Sequence, residues 1–223
     1  MSRIMDCSTD ENRERAIAAA VDAVKAGRLV VMPTDTVYGL GCDAFDNQAV
    51  ASLLRAKHRG PDMPVPVLVG SWNTIEGLVR EYSPAARTLV EAFWPGGLSL
   101  VVNQAPSLPW NLGDTAGTVM LRMPLHPIAI EILRRTGPMA VSSANISGQA
   151  PATKCRACQA DVGWGSGCLR RRRRSHDWHP IDDCRYLDSS AADSARRRCV
   201  SSGGCRGFEY YARATAGAVV LST

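Results

Sequence analysis

The chain has 223 residues, 45% of them hydrophobic, a formal net charge of +5 and eight cysteines. That is enough for one sizeable core of ordinary globular composition. No run of about 18 apolar residues exists to cross a membrane, and the polar start MSRIMDCSTDENRERA has no apolar signal core, so a cytoplasmic protein is expected.

In chain order, residues 10–27 read as an amphipathic helix with Ile17, Val21 and Val24 on one face. Ser8 with Glu11 could cap its start, and Gly27 could stop it. RLVVM (28–32) reads as a short buried strand, followed by PTDTVYGLG (33–41) as a loop. Residues 47–59 read as a helix with Val50, Leu53 and Leu54 inward and basic residues at its end, where the helix dipole favours them. VPVLVG (65–70) is a second strand, and NTIEGLVREY and PAARTLVEAF are two further helices, the latter opened by Pro84. LSLVV (98–102) and TVMLRM (118–123) read as strands, 126–137 as a helix, and PMAVSSAN (138–145) as a strand ending in polar residues. Intermixed strands and helices predict an α/β domain built on a mixed sheet.

Charge and cysteine divide near residue 154. Residues 1–153 hold 13 Lys/Arg against 14 Asp/Glu and only Cys7 and Cys42. Residues 154–223 hold 13 Lys/Arg against 7 Asp/Glu and the other six cysteines. The basic pI therefore belongs to the tail and does not make the main domain a nucleic-acid binder. Periodicity fails at the same point, and only TAGAVVLST at the end looks strand-like.

Four polar clusters stand out: Thr34, Asp35, Thr36 and Tyr38; Lys57 and Arg59; Thr118 with Arg122 at opposite ends of a strand; and Ser142, Ser143 and Asn145. Ligands of α/β sheets sit beyond strand ends, where the first and fourth clusters fall. Hydroxyls, amides and backbone N–H groups suit an anion or polar substrate there, and Lys57 and Arg59 add fixed positive charge. Each cluster alone also fits turn formation or a solvated surface. Lys57 and Arg59 can reach one side only if the helix ends there and the chain extends. No phosphate-binding G-x-x-x-x-G-K-[ST] loop, G-x-G-x-x-G or G-x-S-x-G elbow is present. His58 and His126 read as surface or capping residues. No activated nucleophile is evident, which favours positioning and electrostatics.

PTDTVYGLGCDA (33–44), AKHRGPDMPVPVLVG (56–70), WPGGLSLVV (94–102), TVMLRMPLHPIAIEIL (118–133) and AVSSANISGQAPAT (140–153), in this order, resemble the YrdC-like family over about residues 10–153. The resemblance implies an open twisted mixed sheet with flanking helices around a large, positively lined concave site. It implies synthesis of L-threonylcarbamoyl-AMP and pyrophosphate from L-threonine, bicarbonate or CO2 and ATP, with Mg2+ arriving on ATP. Partner proteins would then transfer the threonylcarbamoyl group to adenosine 37 of tRNA. It assigns Lys57 and Arg59 to phosphate and carbamate charge, and Ser143 and Asn145 to the nucleotide or intermediate, as the Lys-x-Arg and Ser-x-Asn signature. Thr34, Tyr38 and Arg122 would form the threonine site; Thr118 and Ser142 would line the nucleotide site. No resident metal site is expected. The alternative is a non-catalytic tRNA or double-stranded RNA binder, or a ribosome-assembly module, on the same scaffold.

The family continues with a Ser-Thr-[Ile/Val]-Val strand and a Leu-Arg-x-Gly segment, and neither occurs in 154–223. Three readings of this tail stay open. Cys155, Cys158, His176, His179 and Cys184 resemble metal ligands without completing a usual zinc spacing. Arg170–Arg174 could contact RNA phosphates, or be a solvated run. The favoured reading is a tail out of frame with its relatives, which explains the loss of motif, period and composition together.

Overall fold

The computed structural model describes residues 4–147 and, as backbone only, 167–170, 210–215 and 218–222. Strands β1 (Ile4–Asp6), β2 (Val30–Met32), β3 (Gly39–Asp43), β4 (Val67–Leu68), β5 (Leu98–Asn103), β6 (Thr118–Arg122) and β7 (Met139–Ser143) alternate with helices α1 (Asp10–Lys25), α2 (Asn47–Ala56), α3 (Pro84–Phe93) and α4 (Pro127–Thr136). A central run of six strands has the order β2-β3-β7-β4-β6-β5. It is mixed: β4 and β6 are parallel, while β3–β7, β4–β7 and β5–β6 are antiparallel. The tail adds β8 (Gly167–Arg170) between β1 and β2, and β9 (Tyr210–Thr215) and β10 (Ala218–Ser222) beside β5. The sheet thus runs to ten strands among the described residues, and β10 falls within the strand-like end TAGAVVLST. The candidate ligands Cys155, Cys158, His176, His179 and Cys184, and Arg171–Arg174, lie outside the described residues.

The period-2 alternation of a strand distributes the core to both faces. Val30, Met32, Met139 and Val141 pack with Ile17, Val21 and Val24 of α1 and with Ile128, Ile132 and Leu133 of α4. Val31, Leu40, Cys42 and Ala140 point the other way, into a core with Val50 and Leu53 of α2 and Leu89 and Val90 of α3. Arg135 clips α4 to α1 through both oxygens of Glu14, at 2.5 and 3.0 Å.

Helix starts follow their caps. Thr9 Oγ1 accepts from Asn12 N at 3.2 Å, so Thr9 caps α1 in place of the expected Ser8, whose hydroxyl donates to Asp6 at 2.6 Å. Asp46 accepts from Gln48 N and Ala49 N, and Ser83 caps α3 ahead of Pro84. In place of a helix over NTIEGLVREY stands a short 3-10 helix at Trp72–Gly77. Gly39 and Gly41 lie in β3 and not in a loop. A Cβ at Gly39 would stand 2.7 Å from Val141 Cγ1, and one at Gly41 2.9 Å from Val141 Cγ2, so only glycine lets β7 seat Val141 there. No helix among the described residues is long and apolar enough to cross a membrane.

Candidate active site

A cavity of about 350 Å³ opens where five strands meet two loops, within the size range of small-molecule sites. Its polar lining is Thr34 and Thr36 from the β2–β3 loop, Arg59 after α2, Ser99, Arg122, and Ser142 and Ser143 at the end of β7. Val37, Pro64, Pro66, Leu68, Met120 and Val141 give it apolar walls.

The Lys-x-Arg segment is shaped by the end of α2. Helix α2 stops at Ala56, as the pairing of Lys57 with Arg59 required. His58 N bonds to Arg55 O and Arg59 N to Leu54 O, both at 3.0 Å. These are the two crossed bonds of a Schellman turn, and His58 occupies its left-handed position with φ +52°. The turn sends Lys57 inward and Arg59 to the cavity. Lys57 is fully buried and donates from Nζ to the carbonyls of Ser143 and Asn145. It ties the end of β7 to the end of α2 from behind the cavity wall. Arg59 donates through Nε to Ser147 Oγ at 2.8 Å, and Ser147 Oγ donates to Lys57 O at 3.1 Å.

Across the cavity the β2–β3 loop is knotted by its own hydroxyls. Thr34 Oγ1 donates to Val37 O and accepts from Thr36 N at 3.2 Å, a side-chain turn of the kind threonine favours. Arg122 is buried, and its guanidinium is claimed on three sides. Nε donates to Gly96 O at 3.0 Å, one terminal nitrogen to Thr36 Oγ1 at 3.2 Å, and the other to Asp35 Oδ1 at 2.9 Å. Gly96 belongs to the WPGG turn, which Trp94 Nε1 steadies on Leu98 O at 2.8 Å.

The predicted residues therefore divide. Thr34, Arg59, Arg122, Ser142 and Ser143 line one cavity, while Lys57 and Asn145 back its wall. Tyr38 is not in the lining; its ring packs against the core of the α2 face. Thr118 stands at the far end of β6, four residues from Arg122 or about 13 Å at strand rise, and bonds to Thr115 O at 2.7 Å. His126 is buried at the start of α4 without a side-chain capping bond, whereas His58 is exposed. Burial pushes the Cys42 thiol up to about 12, with Asp43 and Asp46 adding to the shift, so it is no nucleophile near neutrality. No group of metal-ligating side chains occurs among the described residues. Sequence reasoning missed Ser99, Met120 and Ser147. The first two lie within strands, where position across the sheet is invisible in a linear pattern. Ser147 had a signal: it continues Ser143 and Asn145 at the same two-residue spacing.

The Sua5/YciO/YrdC family model, which carries the description "Telomere recombination", matches residues 22–166. The chain belongs to this family. A Mycobacterium tuberculosis Sua5/YciO/YrdC relative, provisionally named a threonylcarbamoyl-AMP synthase, is 65% identical over 163 residues, 73% of this chain and 75% of that protein. The structure of a Pyrococcus abyssi Sua5 variant superposes with a TM-score of 0.77 at 27% identity, over 99% of this chain and 56% of that one. The P. abyssi Sua5 complex with L-threonine has a TM-score of 0.71 at 33% identity, over 76% of this chain and 50% of that one. The chain thus spans about half the length of those archaeal Sua5 proteins. Its open mixed sheet with flanking helices is the Sua5/YciO/YrdC fold.

Proposed function

We propose that this chain is a nucleotidyl-transfer enzyme that makes L-threonylcarbamoyl-AMP and pyrophosphate from L-threonine, bicarbonate or CO2 and ATP. The product would be the first intermediate in threonylcarbamoyl modification of tRNA adenosine 37. The observation that carries the reading is the cavity that joins Arg59, Ser142 and Ser143 to Thr34 and Arg122, in a chain 33% identical to a protein solved with L-threonine.

In this reaction a carbamate oxygen on threonine attacks the α-phosphorus of ATP. The bond from that phosphorus to the oxygen bridging to the β-phosphate breaks, and pyrophosphate leaves. Two anions must be held together while charge grows on the leaving group, a task for orientation and fixed cations. Arg59 presents its fork to phosphate or carbamate oxygens. Ser142 and Ser143 offer hydroxyls to the nucleotide, and Thr34 and Arg122 form the threonine end. Lys57 and Asn145 hold the end of β7 in place. Mg2+ would enter on the phosphates of ATP, as part of the substrate. Transferase proteins that take the activated group to tRNA would act downstream.

The test is pyrophosphate release with ATP, bicarbonate and threonine, repeated with serine. Release should depend on threonine and fall about tenfold or more with serine, the usual effect of one missing methyl in a fitted pocket. Lys57→Ala and Ser143→Ala should each lower turnover by orders of magnitude. Binding of tRNA without threonine-dependent pyrophosphate release would replace this reading with that of an RNA-binding module.

A further inference from the structure

We propose that Ser147 is a positioning residue for Arg59, setting the direction in which the guanidinium fork meets an anionic substrate. The proposal rests on the functional reading above, in which Arg59 meets that anion. A serine hydroxyl has one proton and accepts through its lone pairs. Here the proton goes to Lys57 O at 3.1 Å, and a lone pair takes Arg59 Nε–H at 2.8 Å. The hydroxyl is thereby oriented by the backbone of the residue that opens the Lys-x-Arg segment, and in turn it orients the residue that closes it. Nε is the one guanidinium nitrogen that is not part of the terminal fork. Fixing it halts rotation of the group while both terminal nitrogens, which have no partner among the described residues, stay available to a ligand. The same two segments are tied a second time, in the opposite sense, by Lys57 Nζ on the carbonyls of Ser143 and Asn145. The loop after β7 thus carries a hydroxyl that links the Lys57 carbonyl to the Arg59 guanidinium. Such pre-orientation lowers the ordering cost of binding, so its loss should appear in substrate affinity before it appears in the chemical step.

The experiment compares the full chain with Ser147→Ala, Ser147→Thr, Arg59→Lys and the Arg59→Lys/Ser147→Ala double variant. It measures KM for ATP and kcat of threonine-dependent pyrophosphate release. Ser147→Ala should raise KM about tenfold with kcat changed less than about threefold, and Ser147→Thr should restore both. Lysine has no Nε, so in the Arg59→Lys background Ser147→Ala should add less than about twofold. A Ser147→Ala protein with KM unchanged, or one that loses as much in the Arg59→Lys background as in the parent, overturns the proposal. Solvent exchange of the Arg59 Nε–H, followed by NMR on 15N-labelled protein, separates this proposal from the activity it rests on. It should be slow in the parent and at least about tenfold faster in Ser147→Ala, since a solvated N–H exchanges freely. Rapid exchange in the parent chain overturns the proposal without any variant having to fold. Absent pyrophosphate release with slow exchange defeats the functional reading and leaves the bond standing.

Discussion

Arg59 and Arg122 face the same cavity but are held in opposite ways. Arg122 lies within β6 and has Nε and both terminal nitrogens engaged by Gly96, Thr36 and Asp35. Arg59 hangs from a helix end and, among the described residues, is held through Nε. Both are positive, yet among the described residues only Arg59 has a fork without a partner. A guanidinium used on three sides is part of a wall, because any movement breaks several bonds at once. A guanidinium held at Nε is aimed and remains able to bind. Counting cations around a pocket therefore overstates what is offered to a ligand: Asp35 offsets Arg122 locally, and Arg59 remains to meet incoming anionic charge.

The comparison makes opposite predictions for the two arginines. Arg59→Ala should reduce threonine-dependent pyrophosphate release by about 10²–10³-fold, the usual loss when one donor to developing charge is removed. Its urea midpoint should stay close to that of the parent, because the side chain is half-buried and makes one bond among the described residues. A collapse in stability with activity per folded molecule retained would reverse the roles assigned to the two residues.

Arg122→Met keeps the length and removes the charge. It leaves the Asp35 carboxylate, whose side chain is only 18% exposed, without its cation. Breaking a buried pair on one side costs about 3 kcal/mol at the low end of the usual range, which fits a carboxylate that keeps some water. Equilibrium unfolding in urea reads this directly. Arg122→Met with Asp35→Asn should recover part of the loss, since no charge is then stranded. No recovery in the double variant would mean that Gly96 and Thr36, and not Asp35, hold the guanidinium.

Much of this arrangement was legible before the fold. The Lys-x-Arg and Ser-x-Asn segments are local in sequence, and their side chains do meet, because each spacing survives in the turn that carries it. Thr118 illustrates the opposite case. It shares a short strand with Arg122, but strand rise puts the two about 13 Å apart, and only the Arg122 end opens on the cavity. Asp35 and Arg122 were each visible as polar residues, while their pairing across 87 positions was not. Such contacts depend on the sheet order β7-β4-β6, which no local pattern encodes. Gly39 and Gly41 read as loop residues for the same reason: the demand for glycine comes from Val141 on the neighbouring strand.

The smallest effect expected tests how Arg59 is hung. His58 adopts φ +52° at the left-handed position of the Schellman turn, where a side chain with a Cβ costs about 1–2 kcal/mol and glycine costs nothing. Glycine also loses more freedom on folding, about 0.5–1 kcal/mol. The two terms leave His58→Gly more stable by about 0.5–1 kcal/mol, and His58→Val, with its branched Cβ, less stable than the parent. The urea midpoints of the three proteins check the sign. A less stable His58→Gly would show that contacts of the imidazole, and not backbone geometry, hold the turn. The same pair also bears on Arg59. The turn bonds from His58 N and Arg59 N are main-chain bonds that glycine preserves, so the guanidinium should keep its place on Ser147 in His58→Gly. Loss of that bond would move the origin of the arginine's aim from the hydroxyl that receives it to the residue before it.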